Sequence, residues 1–100
     1  MIRFTKEVAQ RFLGDVPQDK SFWCHDGRYL RSLAELKAAL NDMSEDTFRI
    51  HCNDTTSDFS NWVRDVIGDE KLGRDLKKST TKLQALKSVA SRIEWLEDRL

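Results

Sequence analysis

The chain has 100 residues, of which 39% are hydrophobic and 34% charged, so it can form one domain around a modest core and is not of the disordered class. Its 17 basic side chains balance 17 acidic ones, which excludes attraction to nucleic acid or an anionic membrane by overall charge. No apolar run approaches the roughly 20 residues of a membrane span, and the first residues do not resemble an export signal. We therefore expect a cytoplasmic protein whose two cysteines are free thiols.

The chain begins with a predicted short helix followed by a β-hairpin. Over residues 4–13, large apolar side chains recur at steps of four and line one side of a helix: Phe4, Val8 and Phe12. Gly14 ends this helix. Two runs with aromatic residues then flank Asp26 and Gly27, the dipeptide that favours a two-residue type I′ turn. The pattern predicts a hairpin closed by this turn.

Two further helices are predicted on either side of residue 44. Ser32 and Glu35 have the spacing of a capping box, and apolar residues follow at steps of three, four and three: Leu33, Leu36, Leu40 and Met43. Ser44 precedes two carboxylates, which is typical of a helix start. We predict a short helix there, although the segment TFRIHC also has the composition of a strand.

The next predicted helices follow the polar loop NDTTS. Ser57 or Asp58 caps a segment that places five large apolar groups on one face: Phe59, Trp62, Val63, Val66 and Ile67. Gly68 is typical of a helix C-terminus, and Asp69 begins a shorter helix. Together with the hairpin, these helices predict a mainly α (α+β) fold, with a compact helical domain over residues 1–78.

The last predicted element is a helix over residues 79–100 with heptad spacing. Its apolar residues recur at steps of three, four, three and four: Leu86, Val89, Ile93, Leu96 and Leu100. One interpretation is that this stripe packs on its own domain. The interpretation we favour is that residues 1–78 already supply enough apolar helices for the core, so the helix projects and binds a second copy. Trp95 lies outside the stripe and is predicted either to add a contact at that interface or to pack back onto the domain.

Residues 20–77 resemble a known family. Three segments carry the resemblance, in this order and with this spacing: DGRYLRSLAELKAAL, MSEDTFRIH and DFSNWVRDVIGDEKLGRDL. They are similar to a small prokaryotic, largely archaeal, domain of unknown function. The resemblance implies a compact domain and assigns no catalytic residue.

Two adjacent pairs, Cys24 with His25 and His51 with Cys52, are the candidate metal ligands. A structural zinc ion needs four converging ligands. Neighbouring side chains point to opposite faces of a strand and diverge by about 100° on a helix, so at most one residue of each pair can converge on an ion. We expect no metal and no cofactor.

His51 has two alternative roles. It is predicted to hydrogen-bond a loop carbonyl or the carboxylate of Asp54 or Asp58, which would tie the loop to the following helix. A role as a general base or a pH switch is the alternative, but no nucleophile with a recognisable signature accompanies it. The chain also lacks a Gly-rich phosphate loop and the G-x-S-x-G and H-E-x-x-H motifs. We predict no catalytic residue and no enzymatic activity.

The charge distribution favours a second candidate function. Residues 1–70 carry nine Lys/Arg against thirteen Asp/Glu, whereas residues 71–100 carry eight against four. Six basic side chains crowd the start of the second part: Lys71, Arg74, Lys77, Lys78, Lys82 and Lys87. Such a cluster can neutralise phosphates, but no aromatic residues are interleaved with it. We expect a small non-enzymatic interaction or regulatory module that binds itself or another protein and no membrane, with nucleic-acid binding at residues 71–87 as the alternative.

Overall fold

Six α-helices and one two-stranded hairpin make up residues 4–100, the part of the chain that the computed structural model describes. In chain order the elements are α1 (Lys6–Leu13), a 3₁₀ turn (Gln18–Lys20), β1 (Phe22–Trp23), β2 (Tyr29–Leu30), α2 (Leu33–Asp42), α3 (Glu45–His51), α4 (Asp58–Trp62), a π-helical turn (Val63–Ile67), α5 (Glu70–Lys78) and α6 (Lys82–Glu97). The predicted fold class, mainly α (α+β) with one hairpin, is confirmed. None of the helices over these residues combines the length and apolar composition that a membrane span requires.

Five of these helices begin at a Ser, Thr or Asp whose side chain accepts the backbone N–H three residues on. The capping residues are Thr5, Ser32, Ser44, Asp69 and Thr81. The helix predicted after Ser44 is therefore confirmed over the alternative strand. The capping box is modified, because Glu35 reaches back to the N–H of Arg31, at 2.7 Å, and not to that of Ser32.

The hairpin closes through a different turn from the one predicted. Phe22 pairs with Leu30 and Trp23 with Tyr29, and a three-residue loop follows the pair formed by Cys24 and Arg28. A type I′ turn needs positive φ at both central residues, but in the described chain no residue other than a glycine has positive φ. Gly27 alone takes it here, at 98°. The turn is thus the longer hairpin connection that ends in a left-handed glycine.

The junction between α4 and α5 has the predicted stop and start signals, Gly68 and Asp69. The π-helical turn ends at Gly68, whose φ of 94° is left-handed. The N–H groups of Gly68 and Asp69 both donate to the Val63 carbonyl, at 2.8 and 3.2 Å. These bonds end the π-helical turn at Gly68, and the side chain of the next residue, Asp69, caps α5.

The core lies between α2, α4, α5 and α6, with α1 and the hairpin at its edges. Its largest fully buried side chains are Phe48, Leu33, Leu36, Leu40, Leu72 and Leu96. Trp62 belongs to this core as well, and its indole N–H donates to the Lys20 carbonyl at 2.9 Å. The carbonyl satisfies the one polar atom of an otherwise apolar side chain.

The C-terminal helix does not project from the domain, which corrects the predicted division at residue 79. α6 packs against α2, α1 and α5 and contributes Ala85, Val89 and Leu96 to the core, each at most 1% exposed. At its start, Lys82 Nζ donates to the Met43 carbonyl beyond the end of α2. The physical reason is that the preceding helices leave their shared apolar surface open on one side, and α6 covers it.

Candidate functional site

His51 forms hydrogen bonds through both ring nitrogens, and one of them joins the two Cys-His pairs. Nε2 accepts the backbone N–H of His25 at 2.9 Å, and Nδ1 lies 3.0 Å from Asp58 Oδ2. Because an N–H group can only donate, the ring proton is assigned to Nδ1, which donates to the carboxylate. The predicted bond to Asp58 is confirmed. The ring also contacts Phe22 and Phe59, at centroid distances of 5.1 and 5.2 Å. This arrangement fixes the hairpin to α3 and to the start of α4.

The two cysteines occupy separate environments beside His51. Cys24 is fully buried, and Cys52 directs its thiol towards the Ser79 carbonyl at 3.4 Å. Burial raises the pKa of both thiols, and the negative charge of Asp58 raises that of Cys52 further. Both side chains therefore carry their proton at neutral pH, the form that neither attacks an electrophile nor binds a metal. Within residues 4–100, no three His, Cys, Asp or Glu side chains come together in a group that could hold a metal ion.

Asp69 and Arg92 form a buried ion pair between α5 and α6. The guanidinium donates to both carboxylate oxygens, at 2.7 and 3.0 Å, and one of these oxygens also accepts the Leu72 N–H that begins α5. The two side chains are 1% and 10% exposed. The guanidinium also lies 4.3 Å from the centre of the Trp95 ring. Asp69 thus serves both as the cap of α5 and as the charge partner of Arg92. These two roles account for its burial, and no ligand is needed to explain it.

Trp95 packs back onto its own domain. Its ring packs edge-to-face with that of Phe4, at a centroid distance of 4.8 Å, and the guanidinium of Arg99 lies 3.3 Å from its centre. Arg99 also donates to the Trp95 carbonyl. These contacts engage Trp95 within its own chain, on the α5 side of α6, which is the second of its two predicted roles.

The six basic residues predicted to contact nucleic acid do not share one face. Lys71, Lys78 and Lys87 line the open groove between α5 and α6. Lys82 is tied to the Met43 carbonyl, and Lys77 lines a separate cleft beside the loop after α3. The sixth, Arg74, is solvent-exposed. Within the groove, Asp75 pairs with Lys71 and reduces its positive charge.

The predicted heptad stripe of α6 divides between the core and the surface. Val89 and Leu96 are fully buried in their own domain and cannot bind a second copy. Leu86 and Ile93 lie one step round the helix, partly buried beside α2, and Leu100 is 52% exposed. The stripe divides because the side of α6 that faces the core is centred on Val89 and Leu96. The other stripe residues lie beyond the edge of that side.

An apolar strip runs along the outward side of α6 where it borders α2, and it shares Leu86, Ile93 and Leu100 with the predicted stripe, whereas Leu83 and Ala90 were not predicted. It consists of Leu83, Leu86, Ala90 and Ile93 on the helix and Leu100 just beyond its end, and the same spacing places Glu97 between the last two. Leu83 is 57% exposed, and the strip borders a shallow groove whose α2 side includes Ala34 and Ala38. These residues recur at steps of three and four, so the signal was present but was masked by the overlapping buried stripe.

Comparison of the chain with protein-family models, with curated proteins and with solved structures finds no match. The resemblance of residues 20–77 to a prokaryotic domain of unknown function stays a prediction.

Proposed function

We propose that the protein is a small interaction module that self-associates through the outward side of α6 and the adjoining side of α2. The observation that carries this proposal is the apolar strip that begins at Leu83, which is 57% exposed, and continues through Leu86 and Ile93, which the domain covers only in part. Ala34, Ala38 and Ala90 make the groove beside it shallow. A helix can therefore approach closely and bury the leucines on both sides.

A second copy is the partner that the charges favour. The exposed part of α6 carries Lys87 towards one end and Glu94 and Glu97 towards the other, so the surface carries both signs of charge beside its apolar strip. A surface of this kind can be complementary to itself. The module would then act by presenting two copies of its domain in a fixed arrangement, with no chemistry of its own.

Binding of a polyanion such as nucleic acid is the second candidate function. It is favoured by one observation, the alignment of Lys71, Lys78 and Lys87 along the groove between α5 and α6. The hydroxyls of Ser88 and Ser91 line the same groove. Three lysines, one of them paired with an aspartate, would give weak binding with a strong dependence on salt.

The oligomeric mass in solution tests the main proposal. We expect wild-type protein to sediment as a dimer or larger at micromolar concentration, and Ala90→Glu to sediment as a monomer with an unchanged circular dichroism spectrum. Glutamate is a good helix former, so this change adds a charge to the strip without opposing the helix.

The matched control is Ser91→Glu, which adds the same charge one residue along, on the exposed border of the other groove. It should stay oligomeric. A monomeric wild-type protein, or an Ala90→Glu variant that still associates, would contradict the proposal. In the same preparations, salt-dependent DNA binding by a monomeric wild-type protein would support the second candidate instead.

A further inference from the structure

We infer that two copies pair with their α6 helices antiparallel, around a two-fold axis beside Ala90. This rests on the self-association proposed above and specifies the direction in which the partner helix lies. Three observations carry it: the order of charges along α6, the position of the small residue, and the two-fold character of the apolar strip.

The charges on the exposed side of α6 are segregated along its length. Lys87 precedes Ala90 by one turn, whereas Glu94 and Glu97 follow it by one and two turns. All three side chains are exposed, and none forms an ion pair with another side chain of residues 4–100. Their partners can therefore come from another molecule without breaking a contact within the domain.

Only one direction of pairing uses these charges favourably. In a parallel pair, equal positions lie at the same height, so Lys87 of one copy is about 10 Å along the axis from Glu94 of the other and the two charges do not meet. In an antiparallel pair centred beside Ala90, Lys87 of each copy lies opposite Glu94 of the other, because the two residues are three and four positions from the centre. The arrangement forms two equivalent ion pairs and avoids like-charge contacts.

The middle of the apolar strip has the same symmetry, whereas Leu83 comes level with Glu97 of the other copy. Leu86 and Ile93 lie at nearly equal distances on either side of Ala90, so the two-fold axis brings each of them against the other residue in the second copy. Ala90 meets its own counterpart at the axis, where the small methyl group allows the two helices to come close. Ala34 and Ala38 of α2 flank this contact and leave room for it.

Charge reversal tests the direction. Lys87→Glu and Glu94→Lys should each weaken the dimer about tenfold in Kd, since each turns two attractions into two repulsions at exposed sites. The double variant should restore the wild-type Kd, because the pairs form again with reversed signs. Restoration cannot arise within one chain, since residues 87 and 94 lie about 10 Å apart along the helix. Lys77→Glu, in the separate cleft beside the loop after α3, is the matched control and should leave Kd unchanged.

Disulfide trapping gives an independent measurement. Under mild oxidation, Ala90→Cys should form a covalent dimer, whereas Leu83→Cys should not, because antiparallel helices place the two copies of residue 83 about 20 Å apart. Wild-type protein, with one buried and one partly buried cysteine, is the background control.

Each outcome has one meaning. A monomeric wild-type protein overturns the proposed function and this inference with it. A dimer in which the double variant is no tighter than the single ones, or in which Leu83→Cys cross-links, overturns the antiparallel arrangement and leaves self-association standing.

Discussion

His51 is held at both nitrogens by groups from two other segments, and this decides how the residue is used. A general base needs a free lone pair, but the lone pair of Nε2 accepts the His25 N–H and the proton on Nδ1 is donated to Asp58. The ring is also 6% exposed and contacts two phenylalanines. The geometry supports a joint between the hairpin and α4.

The phenylalanine substitution of His51 should therefore lower the free energy of unfolding. Phenylalanine fills a similar volume beside Phe22 and Phe59 but leaves the His25 N–H and the Asp58 carboxylate without their partner. We expect His51→Phe to cost about 1 to 3 kcal/mol in a urea titration. His25→Ala is the control, because only the backbone of His25 takes part, and it should change stability by less than about 0.5 kcal/mol. Equal losses in the two variants would show that the hydrogen bonds at His51 do not stabilise the fold.

Single residues show where sequence reasoning succeeds and where it stops. Asp58 could be proposed as a partner of His51 because it lies seven residues away, across one short loop. The His25 N–H could not be proposed, since it lies 26 residues away and its direction depends on how the hairpin packs on α3. The prediction of the hairpin turn was wrong for a related reason. Asp-Gly is compatible with two loop lengths, and the pairing of the strands selects between them.

At the scale of elements, α5 and α6 are joined through one side-chain pair at the N-terminus of α5. Asp69 begins that helix and accepts both guanidinium bonds from Arg92 of the other. Bidentate geometry of this kind fixes the relative position of two helices. Replacement of Arg92 by a neutral residue leaves the Asp69 carboxylate, which is 1% exposed, without its charge partner.

Arg92→Met tests this joint. Methionine keeps most of the length and apolar stem of arginine, so the lost contribution is the charge and its hydrogen bonds. We expect a loss of about 3 to 5 kcal/mol in the free energy of unfolding, the cost of breaking a buried pair from one side. Arg99→Met removes the guanidinium on the exposed side of Trp95 and should cost no more than about 1 kcal/mol. If both variants melt at the wild-type temperature, the pair contributes nothing to the stability of the fold.

The helices themselves could be predicted from sequence because their signals are local. Ser32, Ser44, Asp69 and Thr81 each cap a helix through a bond that spans three residues. The orientation of α6 could not be predicted in this way. Its apolar residues cover a wide arc, and two overlapping sets have the same spacing, so the pattern does not say which set faces the domain. The core beneath the helix decides this, through Val89 and Leu96.

At the scale of the whole molecule, α6 has two sides with different roles. One side completes the core and carries Arg92, and the adjoining side next to α2 carries the partly covered strip that begins at Leu83. Substitutions therefore separate folding from association only if they are placed on the correct side. A change at Ile93 combined with one at Leu96, which the heptad stripe alone would suggest, mixes the two effects because Leu96 is fully buried.

Removal of α6 should unfold the domain. A chain that ends at residue 79 loses the buried Ala85, Val89 and Leu96, and it leaves Asp69 without its partner. Each of the two larger side chains contributes about 1.5 to 3 kcal/mol by burial, and the whole domain is stable by only about 5 to 15 kcal/mol. We expect the shortened chain to lose its cooperative thermal transition by circular dichroism, whereas a chain that lacks only the half-exposed Leu100 keeps it. A cooperative transition in the shortened chain would mean that residues 1–79 fold alone, as the sequence pattern first indicated, and that α6 is a separable element.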